Sequence, residues 1–503
     1  MPDKIIFWLN AYMLFFGLAQ NLQNRHDCEL YALIDITNRT KKFFENQDLI
    51  KFKQTWFLHD HLQKNEKIDI DYLNNFEKKY SINLWQLGIN ERIFYKYNDF
   101  YQFSQNEILS ILQKECKLYE SILEKIKPDF LITSETALHQ QHLFYEICRK
   151  KGIKVLMLNQ SKLAYKCIIS QELHKLDSMP SLSDITSKGR TFDELLNILT
   201  SKNNSQQLKL FEKNFGGTTS SKVKAASDYF LKSDNSNMNT HFSYYGRNKS
   251  KVLVDYISKS LKTKKRKSFI DKNLEFEIHA DEKYILFTLH QEPERSLLIA
   301  APFYTHQLEV IRHIAKSIPP GYLLYVKEHF SQSLREWREV SYYKEILKIP
   351  NVRLYHPTSN IQKLIENSSL VMSIGGTVSF EATFYQKPSI IMSDMGFSIL
   401  PSIQKINSLE ELPLKIRDGL GMKVNSDDLD KYLSVLEEHS FELDLKGYEI
   451  NEANFFRHGG NFHDTEITDE KMQLFLENSK TFFEILTKKY IEKIQKFKEN
   501  DSK

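Results

Sequence analysis

Four short stretches in the second half of the chain each set polar groups directly after an apolar run. YILFTL (Tyr284 to Leu289) is followed by His290, Gln291, Glu292, Pro293 and Glu294. YLLYV is followed by Lys327, Glu328, His329 and Phe330, and VRLY by His356 and Pro357. SLVMS is followed by Ile374 and then Gly375, Gly376, Thr377 and Ser379, leading to Glu381. Two adjacent glycines stand out in a chain that has 16 among 503 residues. At a strand-to-helix turn they would tolerate positive φ and let backbone approach a ligand. A helix N-terminus then offers unpaired N–H groups and a positive dipole end, which suits phosphate. Thr377 and Ser379 add hydroxyls, Glu381 can accept from ribose hydroxyls, and Lys327, His329 and His356 can face a leaving phosphate. Each also has a plainer reading. Thr377 and Ser379 read as helix caps, Glu381 as an acid of the first helical turn, and His356 as a loop histidine before proline.

The elements that must position these groups alternate. Helical spacing runs over His306 to Ile318, Leu334 to Lys348, Ile361 to Asn367 and Val378 to Gln386, and the strands YILFTL, YLLYVK, VRLY, SLVMSI and PSIIM lie between them. Strands apolar on both faces that alternate with helices predict a parallel sheet covered on both sides. Ligands of such sheets bind beyond the carboxyl ends of the strands, where all four polar groups fall. We assign this Rossmann-like domain to residues 276–425. Residues 1–175 repeat the theme with the strands KIIFWL, CELYALIDI, PDFLITS and IKVLMLN, a helix over His139 to Lys151, and a mostly helical stretch from Trp56 to Glu124. Residues 176–275 turn to Ser, Asn, Lys and Thr and are expected to mix helices with loops. KTKKRK (Lys262 to Lys267) reads there as a solvated basic patch rather than a nucleic-acid site. Residues 426–503 form a tail whose last helix carries Phe483, Leu486, Tyr490, Ile494 and Phe497 on one face among lysines. That helix could rest on an anionic membrane surface, but packing back across a domain is the favoured reading.

The motifs resemble the capsule polysaccharide biosynthesis family, whose members include β-Kdo glycosyltransferases. That family shows Leu-His-x-Gln-Pro-Glu, Val-Lys-Glu-His-Pro and Gly-Thr-x-Gly-x-Glu-Ala segments, the last followed by Gly-Lys-Pro. Here they read LHQEPE (Leu289 to Glu294), VKEHF (Val326 to Phe330) and GTVSFEATFYQKP (Gly376 to Pro388). Glu292, Phe330, Ser379 and Gln386 depart from the pattern, and Glu292 would alter the charge beside the sugar site. The resemblance implies a GT-B architecture: two Rossmann-like domains face each other across a cleft, the C-terminal one holding a nucleotide sugar and the N-terminal one the acceptor. It further implies a CMP-linked keto-sugar acid as donor, a glycan or glycolipid as acceptor, and no metal or other cofactor. Transfer needs a base for the acceptor hydroxyl, for which Glu135 is the first choice and Asp35 the second; His290 and Glu294 complete the catalytic candidates. The competing readings are a UDP-sugar 2-epimerase on the same fold and a non-catalytic capsule assembly or export factor.

Composition fits a cytoplasmic protein, peripheral at most to the inner membrane face. The net charge of +4 does not suggest a nucleic-acid binder. Cys28, Cys116, Cys148 and Cys167 lack metal spacing and read as reduced thiols. The apolar start KIIFWLNAYMLFFGLA is too short to span a bilayer and reads as a buried strand and helix. HDH (His59 to His61), DID (Asp69 to Asp71) and HGGNFHD (His458 to Asp464) are read as surface loops rather than metal sites.

Overall fold

A computed structural model describes residues 1–62, 66–161, 163, 166–200, 227–231, 241–279, 281–334, 337–457 and 465–501. The first sheet is built from β1 (Asp3–Leu9), β2 (Cys28–Ile34), β3 (Gln54–Phe57), β4 (Phe130–Thr133), β5 (Lys154–Gln160) and β6 (Lys166–Ser170). The second holds β7 (Tyr284–Thr288), β8 (Leu323–Lys327), β9 (Val352–Tyr355), β10 (Leu370–Ser373), β11 (Ser389–Ile391) and β12 (Ile403–Lys405). A two-residue strand from the tail, β13 (Phe441–Glu442), joins the first sheet. The strand orders are β13-β6-β5-β4-β1-β2-β3 and β12-β11-β10-β7-β8-β9. All pairings are parallel except β5 with β6 and β6 with β13.

Both sheets are doubly wound. The chain runs outward from a central strand, returns, and continues on the other side, so strand order reverses between β1 and β4 and between β7 and β10. Side-chain alternation feeds a core on each face. Ile5, Phe7 and Leu9 join one cluster while Ile6 and Trp8 join another. In the second sheet Ile285 and Phe287 face one side, Tyr284 and Leu286 the other. These are the two Rossmann-like units of a GT-B fold.

Three boundaries move. The tail is no separate unit. Its helix Ser426–Glu438 packs Leu429, Tyr432, Leu433 and Leu436 against Phe380, Phe384 and Phe397 of the second domain. The chain then crosses back through β13, and the helices Leu445–Phe456, Asp469–Asn478 and Lys480–Asp501 complete the core of the first domain. Phe483, Leu486, Tyr490 and Ile494 are fully buried there, so packing across a domain, not a bilayer, occupies that face. Gly17 makes the approach possible, because a Cβ would come within 2.1 Å of the Phe483 ring. Second, the helix expected over Leu334 to Lys348 covers only Val340–Leu347; a 3-10 turn spans Phe330–Leu334, and Trp337 and Arg338 lie outside both, buried. Third, Lys262 to Lys267 falls inside a 25-residue helix, Lys249–Asn273. No described helix is long and apolar enough to cross a membrane.

The helix Val378–Phe384 ends with Gln386 at φ 58°, donating to the carbonyl of Thr383. Left-handed backbone at this position favours glycine. Gln386→Gly is expected to raise stability by about 1 kcal/mol, since a side chain in that region costs that order; thermal denaturation of the variant checks it.

Candidate active site

The strand order reverses between β7 and β10, and the switch point at their carboxyl ends is the crevice where sheets of this kind take ligands. His290 leaves β7 on one side and Gly375 leaves β10 on the other. They touch: the Gly375 N–H donates to His290 Nε2 at 3.1 Å. His290 is therefore the tautomer with its proton on Nδ1. Burial pushes its pKa down to about 3, with His329 and Arg338 adding to the effect. It is a neutral donor, not a cation. Gln307 fixes the motif loop, accepting from the His290 N–H at 2.7 Å and donating to its carbonyl at 3.1 Å.

Gly375 is needed for space rather than for handedness, while Gly376 has room for a Cβ. Neither Gly375 nor Gly376 adopts positive φ, and their N–H groups are not left unpaired for a phosphate as expected: one donates to His290 Nε2 at 3.1 Å and the other to Ser373 Oγ at 3.0 Å. A Cβ on Gly375 would sit 2.1 Å from Ser393 Oγ, and one on Gly376 would come to 3.4 Å from His290. Thr377 precedes the helix Val378–Phe384 and its hydroxyl donates to Glu381 Oε1 at 3.0 Å, so these two form one polar unit at the helix start. Ser379 does not face the crevice. It is fully buried on the inner side of the helix, its hydroxyl bonded to Ser373 at 2.8 Å. The expected phosphate role of Ser379 is thereby replaced by an internal contact.

Lys327 and His356 also lie elsewhere than expected. Lys327 is buried, and its amine donates to the Pro357 carbonyl at 2.8 Å and the Glu328 carbonyl at 3.3 Å, tying the ends of β8 and β9 together. Burial lowers its pKa to about 8. His356 follows the edge strand β9. It pairs with Asp271 at 3.2 Å and Thr358 at 2.7 Å, and stacks on Phe276 at 4.3 Å. His329 stays beside the crevice, with burial pushing it down to about 4.

Arg338, which sequence reasoning missed, organises this rim. It donates to Glu328 Oε2 at 2.9 Å, to Glu292 Oε1 at 2.5 Å and to the His290 carbonyl at 2.5 Å. Glu328 also accepts from the Tyr343 hydroxyl at 2.8 Å. Glu292 acts as a clamp. Besides Arg338 it accepts from Gln307 at 2.7 Å and, across the domain boundary, from Lys96 at 3.2 Å and Tyr97 at 3.0 Å. Burial raises its carboxyl, but Arg338 and Lys96 outweigh that and hold it below the usual range. Only an acidic side chain at this position satisfies so many donors, which accounts for the departure from the motif.

The carboxyl ends of both sheets meet here. Arg295 donates to the Thr136 carbonyl at 3.0 Å, one residue beyond Glu135 in the loop after β4. Glu135 is exposed and among the charges acting on Arg295, whose own pKa is lowered by burial. Glu294 begins the short helix Arg295–Leu298, accepting from Ser296 at 3.3 Å. Asp35, at the end of β2, is held by His59 at 3.0 Å and Gln140 at 3.3 Å. His59 is thus a buried partner and not a surface-loop residue. Asp69 caps the helix Ile70–Tyr80. His458 to Asp464 lie outside the described residues. Among the described residues no group of three or more His, Cys, Asp or Glu side chains is placed to hold a metal ion.

Two doubly wound domains meeting at their carboxyl edges, with a strand-order reversal in each sheet, define a GT-B protein. The resemblance carried by the motifs is met: the family model described as "Capsule polysaccharide biosynthesis protein" matches residues 192–400, which include the crevice. No curated protein sequence matches the chain. Among solved structures, a UDP-GlcNAc 2-epimerase from Methanocaldococcus jannaschii, in complex with UDP-GlcNAc and UDP, is similar at 12% identity, with 87% of this chain and 100% of that chain covered and a TM-score of 0.24. KpsC from Thermosulfurimonas dismutans, a β-Kdo 2,7 transferase, is similar at 12% identity over 74% and 96%, with a TM-score of 0.31. The UDP-GlcNAc 2-epimerase from Neisseria meningitidis bound to UDP-GlcNAc stands at 11% identity over 86% and 98%, with a TM-score of 0.27.

Proposed function

We propose that the protein is a glycosyltransferase of capsular polysaccharide biosynthesis that takes a CMP-linked keto-sugar acid of the Kdo type and transfers it to a glycan or glycolipid acceptor at the cytoplasmic face of a membrane. The observation that carries this reading is the crevice between β7 and β10, where His290, Gly375, Gly376, Thr377 and Glu381 converge beneath the domain boundary. The family match over the same stretch supports it.

In this reading the nucleotide lies along the Gly375–Thr377 turn with Glu381 toward its ribose. The neutral His290 imidazole donates from Nδ1. The acceptor oxygen attacks the anomeric carbon, the bond from that carbon to the phosphate oxygen breaks, and CMP leaves with the electron pair. Glu135, exposed on the opposite domain, takes the acceptor's proton. A positioned general base contributes roughly 10²–10⁴ in rate. Glu135→Gln is therefore expected to lower kcat by about that factor while leaving CMP affinity unchanged. The test is CMP release from a CMP-linked keto-sugar acid with and without acceptor, for wild type and variant. Acceptor-dependent release, lost in the variant, is the expected result. Conversion of a UDP-sugar without acceptor, or no turnover of any nucleotide sugar, would overturn the reading.

A further inference from the structure

The long helix Lys249–Asn273 carries a surface that the transfer reaction does not use. Its inner side is anchored: Ile270 is buried, Arg266 donates to the Trp337 carbonyl at 2.8 Å and pairs with Glu339, and Lys259 pairs with Asp99 at 3.3 Å. Its outer side holds aliphatic and aromatic groups in the open. Leu253 is 41% exposed, Val254 66%, Tyr256 66%, Ile257 51% and Leu261 63%. Residues 253, 257 and 261 are spaced by four, so they form one stripe. Exposed Lys264 and Lys265 continue that stripe toward the end of the helix, with exposed Lys262 to one side of it. The helix has eight lysines and one arginine against two aspartates, a surplus of seven positive charges in a chain whose net charge is only +4.

We propose that this helix face docks the protein on an anionic lipid bilayer. Aliphatic groups enter the boundary between headgroups and acyl chains, and the lysines meet the negative headgroups. Charge decides between the occupants of such a face. A second copy would bring the same positive surface against itself, which like-charge repulsion disfavours. Nucleic acid would satisfy the lysines but leave the aliphatic stripe in water. The tail helix, the more obvious amphipathic segment in the sequence, has its apolar side buried in the first domain and is not the docking element. The inference rests on the proposed function only for its purpose, which is to hold the enzyme beside a membrane-borne acceptor. The binding is a property of this helix.

Sedimentation of the full chain with vesicles tests it, using phosphatidylcholine alone and phosphatidylcholine mixed with phosphatidylglycerol. Binding to the anionic vesicles only is expected. Lys262→Gln, Lys264→Gln and Lys265→Gln should each weaken it about fivefold and together roughly a hundredfold. Leu253→Asn combined with Ile257→Asn and Leu261→Asn should weaken it by more than about tenfold. The control Lys488→Gln with Lys496→Gln, on the tail helix, should leave it unchanged. All substituted positions are exposed, so melting temperature and nucleotide binding should not move, and a failure here is separable from a failure of the catalytic reading. No binding to anionic vesicles overturns the proposal, as do binding that survives the helix variants, binding lost in the tail control, or a dimer in solution that the stripe variants dissociate.

Discussion

Replacing Arg338 by methionine is expected to cost about 3–5 kcal/mol, because it strands buried carboxylates that have no other cationic partner of equal geometry. Glu328 is fully buried, and Arg338 supplies its charge compensation at 2.9 Å. Glu292 would keep Lys96 but lose its closest cation, and the His290 carbonyl would lose a donor. Lysine should not rescue the site. One ammonium cannot reach three acceptors that the planar guanidinium fork spans at once. Arg338→Met with Glu328→Gln should recover much of the loss, since an uncharged pair no longer carries the penalty of an unpaired buried charge. Thermal denaturation of the single and double variants checks this. An Arg338→Met protein as stable as wild type would show that the network is not what fixes the motif loop.

The second large effect lies in the first domain and is read through pH. His139 is buried with Nδ1 at 2.9 Å from Glu91 and Nε2 at 3.1 Å from Glu115, both buried. Burial alone would lower its pKa, but the charges of Glu115 and Glu91 outweigh it and push it up to about 10 from an ordinary 6.5. A cation with a raised folded-state pKa contributes stability that is fully present below the unfolded value. That contribution fades as pH climbs from 6.5 through about 10. Four neutral histidines, His290 and His241 buried and His142 and His329 half-buried, act in the opposite direction. His290 and His142 are depressed to about 3 and His241 and His329 to about 4, so their contribution is complete above 6.5 and is lost as pH falls toward those values. Stability should therefore peak near neutrality. His139→Leu should lose about 3–5 kcal/mol at neutral pH by stranding buried Glu115 and leaving Glu91 with only the more distant Arg92, at 4.0 Å. It should also lose the alkaline fall that wild type shows. Melting temperatures across the pH range for both proteins test the point. An unchanged alkaline slope in the variant would place the effect on another group.

Much of this was legible in the sequence, for a physical reason. Central parallel strands are apolar on both faces, so β7, β8, β10 and β11 announce themselves, and the rule that ligands sit at carboxyl ends brings His290, Gly375, Gly376, Thr377 and Glu381 to one rim. The short and edge strands β3, β12 and β13 carry no such run and were hidden. The glycine pair is legible, but the cause at Gly375 is not: the constraint there is the Ser393 hydroxyl 2.1 Å from where a Cβ would stand, a contact between segments that no local pattern encodes. Ser379 and His356 obey the spacing rule and still turn elsewhere, because one is inward on its helix and the other follows an edge strand. Arg338 is invisible in sequence because its acceptors come from two separate loops, after β7 and after β8, that only the fold brings to one guanidinium. The tail helix showed a true amphipathic period, and the structure answers it with the core of the first domain, whereas the exposed stripe on the helix Lys249–Asn273 was masked in sequence by its dense lysines.

The central claim is that the crevice between β7 and β10 seats a nucleotide. Isothermal titration with CMP, UDP, GDP, CDP and ADP, on wild type and on Glu381→Ala, tests it most directly. Saturable binding of CMP in preference to the others, abolished in Glu381→Ala while the fold melts as before, is the result predicted here. Binding of no nucleotide, or CMP binding untouched by Glu381→Ala, would contradict it.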